Sequence, residues 1–216
     1  MQVLSVNVGG PREVEWRGEL VRTSIWKSPV PGRVAVRRTN LAGDEQSDLS
    51  VHGGVEKAVY VYPHEHYAFW RVELPGVELG FGHFGENLTS QGLLESEVSI
   101  GDRLRIGSAE FQVTQPRVPC FKLGLRFGRP DLVKRFLRSG RSGFYLAVLR
   151  EGELGAGDAI ERVPVATPSL SVAEVAALYA GRVTDRERLR FASELPGLPA
   201  NWRDGFREAL ERRAPT

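Results

Sequence analysis

The chain has 216 residues, enough for one medium-sized domain with a small appendage. Its hydrophobic fraction of 41%, charged fraction of 26% and net charge of +2 are typical of globular proteins, and no apolar run is long enough to span a membrane. A single cysteine excludes an intramolecular disulfide and an iron–sulfur cluster ligated only by cysteines of this chain. The N-terminal residues lack the charged and apolar regions of a signal peptide, so we predict a cytoplasmic protein without membrane association.

In the first part of the chain, alternating or continuous apolar residues predict strands at residues 2–8, 33–38 and 58–62. A helix is predicted from Pro63, because the missing N–H of proline costs nothing in the first helical turn, and it should end before Pro75.

Further strands are predicted at residues 97–106, 109–114, 143–150 and 154–163. A helical segment should follow Cys120, since apolar residues recur there at helical spacing. Many short strands joined by glycine turns, with few helices between them, predict a mainly β fold. We therefore expect residues 1–163 to form a β-barrel domain with helical insertions.

The composition changes at residues 164–168, which we interpret as a linker to a three-helix subdomain at residues 169–216. Capping boxes at Ser171 and Thr184 predict the first two helix starts. The third helix carries one apolar stripe, formed by Trp202, Phe206 and Leu210. This segment is too short to bury its own core, so it should dock on the barrel or on another subunit. Its nearly balanced charge predicts no binding to nucleic acid.

The segment around Cys120 concentrates positive charge. Residues 117–141 contain eight basic side chains and one acidic side chain, Asp131. Nearby cations such as Arg117 and Lys122 favour the thiolate, which is the form of cysteine that acts as a nucleophile or a metal ligand. The same residues are equally compatible with a buried, inert thiol.

Three other short motifs can contact a ligand. Glycines in His52-Gly53-Gly54, followed by Lys57, let the backbone approach an anion closely. Glu86 and Asn87 can hydrogen-bond a polar heterocycle, and Arg141 can meet a phosphate. Each motif also has an ordinary structural interpretation: a β-turn with a surface histidine, a pair that ties two loops together, or a turn that leads into a strand.

The order and spacing of these motifs resemble the MOSC domain, and in particular its YiiM-like branch, which carries a C-terminal three-helix extension. The resemblance covers roughly residues 2–163 and continues into the C-terminal helices. The matching residues are Gly43-Asp44-x-Gln46-x-Asp48, His52-Gly53-Gly54, Lys57-Ala58-Val59-Tyr60, Tyr62-Pro63-x-Glu65-His66-Tyr67-x-x-Trp70, Phe84-Gly85-Glu86-Asn87-Leu88, Ile100-Gly101-Asp102, Gln115-Pro116-Arg117-x-Pro119-Cys120 and Gly143-x-Tyr145.

The resemblance implies a β-barrel that binds the molybdenum cofactor, a molybdenum held by a pterin dithiolene, with Cys120 as the protein ligand to the metal. It further implies the reduction of N-hydroxylated compounds such as hydroxylamino purines. The residues implied as cofactor contacts are His52, Lys57, Glu86, Asn87, Arg117 and Arg141. Many relatives have tryptophan directly after the cysteine, whereas this chain has Phe121.

Two other functions compete with this one. The first is a non-catalytic carrier of the molybdenum cofactor or of sulfur; related domains are appended to sulfurases, but no domain that would bind pyridoxal phosphate accompanies this one. The second is a cysteine hydrolase that pairs Cys120 with His52.

The chain also shows no Gly-x-Gly-x-x-Gly turn between a predicted strand and a predicted helix, and it cannot hold a four-cysteine cluster. A reductase activity would therefore need a separate electron-transfer partner, which we expect to be a flavin- or iron–sulfur-containing reductase. Both a monomer and a homodimer stay open at this point.

Overall fold

The computed structural model describes residues 1–47 and 53–212. Its strands are β1 (Gln2–Val8), β2 (Arg12–Trp16), β3 (Glu19–Thr23), β4 (Ser28–Pro29), β5 (Arg33–Arg37), β6 (Asn40–Leu41), β7 (Val59–Pro63), β8 (Leu88–Gln91), β9 (Arg103–Ile106), β10 (Ala109–Pro116), β11 (Phe144–Arg150), β12 (Gly152–Gly155) and β13 (Ile160–Val163). Its α-helices are α1 (Glu65–Glu73), α2 (Phe121–Phe127), α3 (Leu132–Ser139), α4 (Val172–Tyr179), α5 (Arg186–Glu194) and α6 (Ala200–Glu211), and a short 3-10 helix spans Val55–Lys57. None of the helices in the described ranges has the length and apolar character that crossing a membrane requires.

The main sheet has eight strands in the order β13-β9-β10-β11-β7-β8-β1-β4. Strands β7 and β8 are parallel, and all other neighbours in this sheet are antiparallel. Two smaller sheets, β12-β5-β6 and the hairpin β2-β3, flank it.

The described residues do not form a closed barrel, so the prediction of a mainly β barrel is not confirmed. The chain near β13 approaches β1 through one isolated bridge between Gln2 and Ala159, and the Val3 N–H donates to the Asp158 carbonyl at 2.9 Å. Two more backbone hydrogen bonds join these segments, from the Gly157 N–H to the Val3 carbonyl at 2.8 Å and from the Ile160 N–H to the Met1 carbonyl at 3.0 Å, but they do not extend the bridge into a ladder. The short strand β4 contains Pro29, which has no N–H to donate. Over the described ranges, the fold is a mixed sheet with six α-helices.

Several predicted strands agree with the structure to within a few residues, since β1, β5, β7, β10 and β11 all lie where apolar patterns predicted them. The strand predicted at 97–106 is wrong in its first half. A turn occupies that half, in which the Asp102 carboxylate accepts the Ser99 N–H at 2.9 Å. The hairpin β2-β3 was not predicted, because its residues are mostly exposed, half of them are charged, and only β2 alternates, through Val14 and Trp16.

The helix predicted after Cys120 is divided into α2 and α3. Gly128 ends α2 in the left-handed conformation at φ 63°, which is a common helix terminus for glycine. The capping box at Ser171 is confirmed: its hydroxyl accepts the Glu174 N–H at 3.2 Å. The box at Thr184 is wrong by one residue, because the side chain of Asp185 accepts the Arg188 N–H at 2.9 Å and caps α5 instead.

One hydrophobic core runs through the main sheet and into the three C-terminal helices. Trp202 and Phe206 are 8% and 4% exposed and belong to this core, and Leu210 packs against it. The expected docking through the stripe of α6 is therefore seen in the structure. The boundaries at residues 1–163, 164–168 and 169–216 stay a prediction.

Candidate active site around Cys120

Cys120 lies just past the end of β10, in the short connection to α2. Two prolines, Pro116 and Pro119, cannot donate ladder hydrogen bonds, so the strand ends and the chain turns away from the sheet. The connection is tied to β11 by the Arg117 N–H, which donates to the Gly143 carbonyl at 3.2 Å. Cys120 itself is extended, at φ −112° and ψ 175°, and is partly exposed.

Two cavities meet at this cysteine. The larger one, about 470 Å³, lies between Cys120 and helices α4 and α6, and we call it the aromatic cavity because Tyr179, Trp202 and Phe206 line it. The smaller one, about 100 Å³, lies on the other side, and we call it the polar cavity. Three residues line both cavities and form their shared wall: Lys57, Cys120 and Tyr145.

The polar cavity carries an excess of positive charge. Among the described residues that line it, the basic ones are Lys27, Lys57, Arg117 and Lys122, and the acidic ones are Asp44 and Glu45. One of the acids, Asp44, forms an ion pair with Lys27, so the remaining cations outnumber the remaining acid. A concave site with this balance favours an anionic ligand.

Arg117 offers the most direct evidence for such a ligand. Its side chain is 7% exposed, and its guanidinium lies 5.0 Å from the Tyr60 ring centre and 5.3 Å from that of Phe136. Its Nη1 atom is buried and has no hydrogen-bond partner among the residues that the structure describes. A buried donor without a partner costs free energy, which an anion in the adjacent cavity would recover.

A buried network positions one wall of the polar cavity. Burial lowers the pKa of Lys27, and its contact with Asp44 opposes that effect. The amide of Asn87 donates to the Asp44 carboxylate at 2.9 Å and accepts the Tyr60 N–H at 3.0 Å. Asn87 thus lines the cavity, but its amide is engaged in holding Asp44, and through it Lys27, in place.

The structure does not bring Glu86 or Arg141 to either cavity. Glu86 is fully buried, and burial raises the pKa of its carboxyl. This carboxyl accepts hydrogen bonds from the N–H groups of Gly82 and Phe84 at 2.9 and 3.0 Å, and from two hydroxyls, so it ties the loop before β8 together. The Arg141 guanidinium stacks on Phe69, 3.9 Å from the ring centre.

His52 lies outside the described residues, so its predicted role stays a prediction. None of the histidines that the structure does describe lines either cavity. Within residues 1–47 and 53–212, no group of three or more His, Cys, Asp and Glu side chains is arranged to hold a metal ion.

Lys27 was not predicted to belong to the site, and Tyr145 and Lys122 were not predicted as cofactor contacts. Lys27 stands in an irregular segment before β4 and had no motif to mark it; only the pairing of β4 with β1 brings it to the cavity. Tyr145 and Lys122 were visible within matching or basic segments. Phe121 is 51% exposed and lines neither cavity, so the residue that follows Cys120 is not part of the described walls.

The sequence was also compared with models of known families. Residues 48–161 match the MOSC domain, and residues 170–213 match the YiiM-like, 3-alpha helix domain. The chain belongs to the MOSC family. The predicted resemblance is therefore confirmed for both the domain and its C-terminal extension.

Three relatives show how far this similarity extends. YflK of Bacillus subtilis is 40% identical, over 99% of this chain and 96% of the relative. The crystal structure of YiiM from Geobacillus stearothermophilus aligns with a TM-score of 0.81 at 35% identity, over 97% of this chain and 98% of that one. A protein of Gibberella moniliformis named Reductase is 34% identical over 90% of this chain, but the match spans only 35% of that longer protein.

Proposed function

We propose that this MOSC protein is a molybdenum-cofactor-dependent oxidoreductase that reduces N-hydroxylated compounds such as hydroxylamino purines. The observation that carries the proposal is the position of Cys120, on the wall between a cation-lined cavity and an aromatic cavity. Membership of the MOSC family and the reductase name of the fungal relative support a redox role. A cysteine thiolate as metal ligand suits the reducing cytoplasm that the sequence predicts.

The residues present fit the cofactor. The soft Cys120 thiolate is an apt ligand for molybdenum, and the cations of the polar cavity would neutralise an anionic group beside it. The Nη1 of Arg117, which has no partner among the described residues, would donate to that group, and Lys57 and Lys122 would add positive charge. Asn87 would act indirectly, through Asp44 and Lys27. Glu86 would stabilise the loop that carries Asn87, while contacts from His52 and Arg141 remain expectations of the resemblance.

When bound, this cofactor supplies the two-electron chemistry by which the substrate N–O bond is cleaved. The overall reaction converts a hydroxylamine, two electrons and two protons into an amine and water. Lys57 and Tyr145 lie on the shared wall and can hold or deliver those protons. Burial lowers the pKa of Lys57, which makes its ammonium the better acid, whereas burial raises the pKa of the Tyr145 hydroxyl.

The decisive experiment is to purify the protein from a host that makes the cofactor and to measure molybdenum and pterin per chain. We expect both in the parent protein and a loss of molybdenum in Cys120→Ser. Phe121→Leu is a matched control, because that neighbouring side chain lines neither cavity, and it should retain the metal. Full metal content and activity in Cys120→Ser would contradict the ligand assignment.

Turnover separates the enzyme from the carrier. A reductase loaded with cofactor should convert 6-hydroxylaminopurine to adenine when a reductant is supplied. A loaded protein that transfers its cofactor but never reduces the substrate would be a carrier. Hydrolysis by metal-free protein, abolished by changing Cys120 or His52, would indicate the cysteine hydrolase.

We also propose that a separate reductase supplies the electrons. The basic segment after Cys120 is the expected docking face, but Arg129 and Arg135 already pair with Asp131, and Arg135 also pairs with Glu73. The exposed cations left for an acidic partner on α3 are Lys134 and Arg138. Most of the fungal relative lies outside the region it shares with this chain, which leaves room for further domains in that protein.

The test of this proposal compares two electron sources. Lys134→Glu combined with Arg138→Glu should slow the reaction driven by the partner reductase and leave the rate with a small artificial donor nearly unchanged. Rapid turnover of the purified protein with NADH alone would contradict the need for a partner.

A further inference from the structure

The aromatic cavity is built jointly by the sheet and the C-terminal helices. Lys57, Cys120 and Tyr145 lie on one side of it. The helical side includes Tyr179 on α4 and Asn201, Trp202, Gly205, Glu208 and Arg212 on or next to α6. Its volume of about 470 Å³ is in the usual range of small-molecule sites.

Helix α6 presents two different faces. Trp202 and Phe206 belong to the hydrophobic core that docks the helix on the sheet. Asn201, Gly205 and Glu208 lie on an adjoining face at intervals of four and three residues, are exposed, and line the cavity. Docking alone requires only the first face, so the second face is available to a ligand.

Gly205 keeps this second face open. No atom lies within 4 Å of the position where a Cβ would be, and glycine inside a helix is less stable than alanine. Helix α6 is tied to the segment that carries the thiol, because the Trp202 indole N–H donates to the Gln115 side-chain oxygen at 2.5 Å. Gln115 lies five residues before Cys120 in the same segment, so α6 is fixed relative to the cysteine.

The chemistry of the two cavities differs. The polar cavity has the cations that suit an anion, whereas the aromatic cavity offers the rings of Tyr179 and Trp202, whose centres are 5.0 Å apart. Asn201 can donate and accept hydrogen bonds, and Glu208, which also pairs with Arg212 at 3.5 Å, can accept them. Flat rings beside a few polar groups are suited to a planar, uncharged heterocycle with exocyclic N–H groups.

We propose that the aromatic cavity binds the heterocyclic ring of the substrate and that the second face of α6 determines which ring is accepted. The inference rests on the proposed function for the identity of the substrate. In this arrangement the ring lies against Tyr179 and Trp202, its polar edge meets Asn201 and Glu208, and its N-hydroxyl group is directed towards Cys120.

Binding of 6-hydroxylaminopurine and adenine to purified protein, with and without cofactor, tests the site by equilibrium dialysis. Gly205→Leu fills the cavity and should weaken binding at least about tenfold, because a well-matched pocket tolerates added methylenes poorly. Gly205→Ala is the matched control: it makes the same backbone change with little added volume and should stay within about twofold of the parent. Leucine and alanine are both good helix formers, and circular dichroism checks that the two variants fold.

A variant of Glu208 and a matched control give a second, independent test. Glu208→Gln should weaken the binding of 6-hydroxylaminopurine about tenfold, which is the loss expected for one charge-assisted hydrogen bond. It should change the affinity for unsubstituted purine much less. Glu211→Gln, on the same helix but lining neither cavity, should change neither affinity. Equal affinities for the two variants would overturn the polar half of the proposal.

The molybdenum content separates this inference from the proposed function. Gly205→Leu should keep the parent's content, since the cations expected to hold the cofactor lie in the other cavity. Weakened purine binding together with absent molybdenum in every sample would refute the proposed function and leave the ring site standing. Three outcomes would each overturn the ring site. They are unchanged purine binding in Gly205→Leu, a loss of molybdenum from this variant without weaker purine binding, and no purine binding to the parent with or without cofactor.

Discussion

Lys57 combines two properties that a proton donor needs. It lies on the wall that both cavities share with Cys120, and burial lowers the pKa of its side chain from the ordinary value of 10.5. Its acid form is therefore lost at a lower pH than that of an exposed lysine. Arginine in the same position would retain the charge but could not release a proton at any ordinary pH.

Lys57→Arg should consequently lower the rate of 6-hydroxylaminopurine reduction about a hundredfold, within the range for a lost general acid, while keeping the molybdenum content. The pH profile is the discriminating measurement. The parent should lose activity on the alkaline side as Lys57 deprotonates, below pH 10.5, and Lys57→Arg should lack that decline. The same alkaline decline in both proteins would contradict a proton-transfer role.

Lys27 and Asp44 form a buried ion pair, with side chains 9% and 1% exposed. Lys27→Met should destabilise the cofactor-free protein by about 3 kcal/mol, because it leaves the Asp44 carboxylate buried without its cation. Adding Asp44→Asn removes the stranded charge, so the double variant should be more stable than Lys27→Met alone. Urea unfolding measures both, and a double variant that lost still more stability would show that the pair is not coupled.

At the scale of elements, the start of α5 distinguishes two neighbouring residues. Asp185 accepts the Arg188 N–H, whereas the capping box predicted at Thr184 does not form. Asp185→Ala should therefore cost about 1 kcal/mol of unfolding free energy, the usual loss for a helix N-cap. Thr184→Ala should stay within about 0.5 kcal/mol of the parent, as a surface change does. Thermal or urea unfolding of the two variants checks this order, and the reverse order would restore the sequence prediction.

The ends of secondary-structure elements place the residues of the candidate site. The end of β10 presents the cysteine, the 3-10 helix presents Lys57, and the pairing of β4 with β1 places Lys27. None of these elements contributes more than a few residues to the cavities. The site is therefore defined by where elements end, as is common when a rigid scaffold carries functional loops.

At the scale of the whole molecule, the sheet and the C-terminal helices share one hydrophobic core. The indole N–H of Trp202 donates to the buried Gln115 oxygen at 2.5 Å across this contact. Trp202→Phe should cost about 1–3 kcal/mol, because it leaves that oxygen without its donor. Trp16→Phe, at a partly exposed position on β2, is the matched control and should have a much smaller effect.

Unfolding of Trp202→Phe should still be a single transition, since the shared core couples both parts. Circular dichroism and tryptophan fluorescence, recorded on the same urea series, should give coincident curves. Two separate transitions would show that the helices fold independently of the sheet.

The local pattern of the sequence determined a good part of this protein. Strands such as β1 follow from alternation of apolar residues, Ser171 marks a helix start through its own capping box, and Cys120 stands out as the single thiol in a basic segment. The motif order predicted the family, which the family models confirm. All of these depend on residues close together in the chain.

Only the tertiary structure decided the rest, because it depends on residues that are distant in sequence. It left the sheet open where a barrel was expected, and it turned Glu86 inward onto backbone donors. It brought Lys27, which precedes Cys120 by nearly a hundred residues in the chain, to the cavity that Cys120 lines. It also placed α6 opposite the same thiol. Local spacing carries no information about such pairings, since they are fixed by strand order and by how the helices pack over the core.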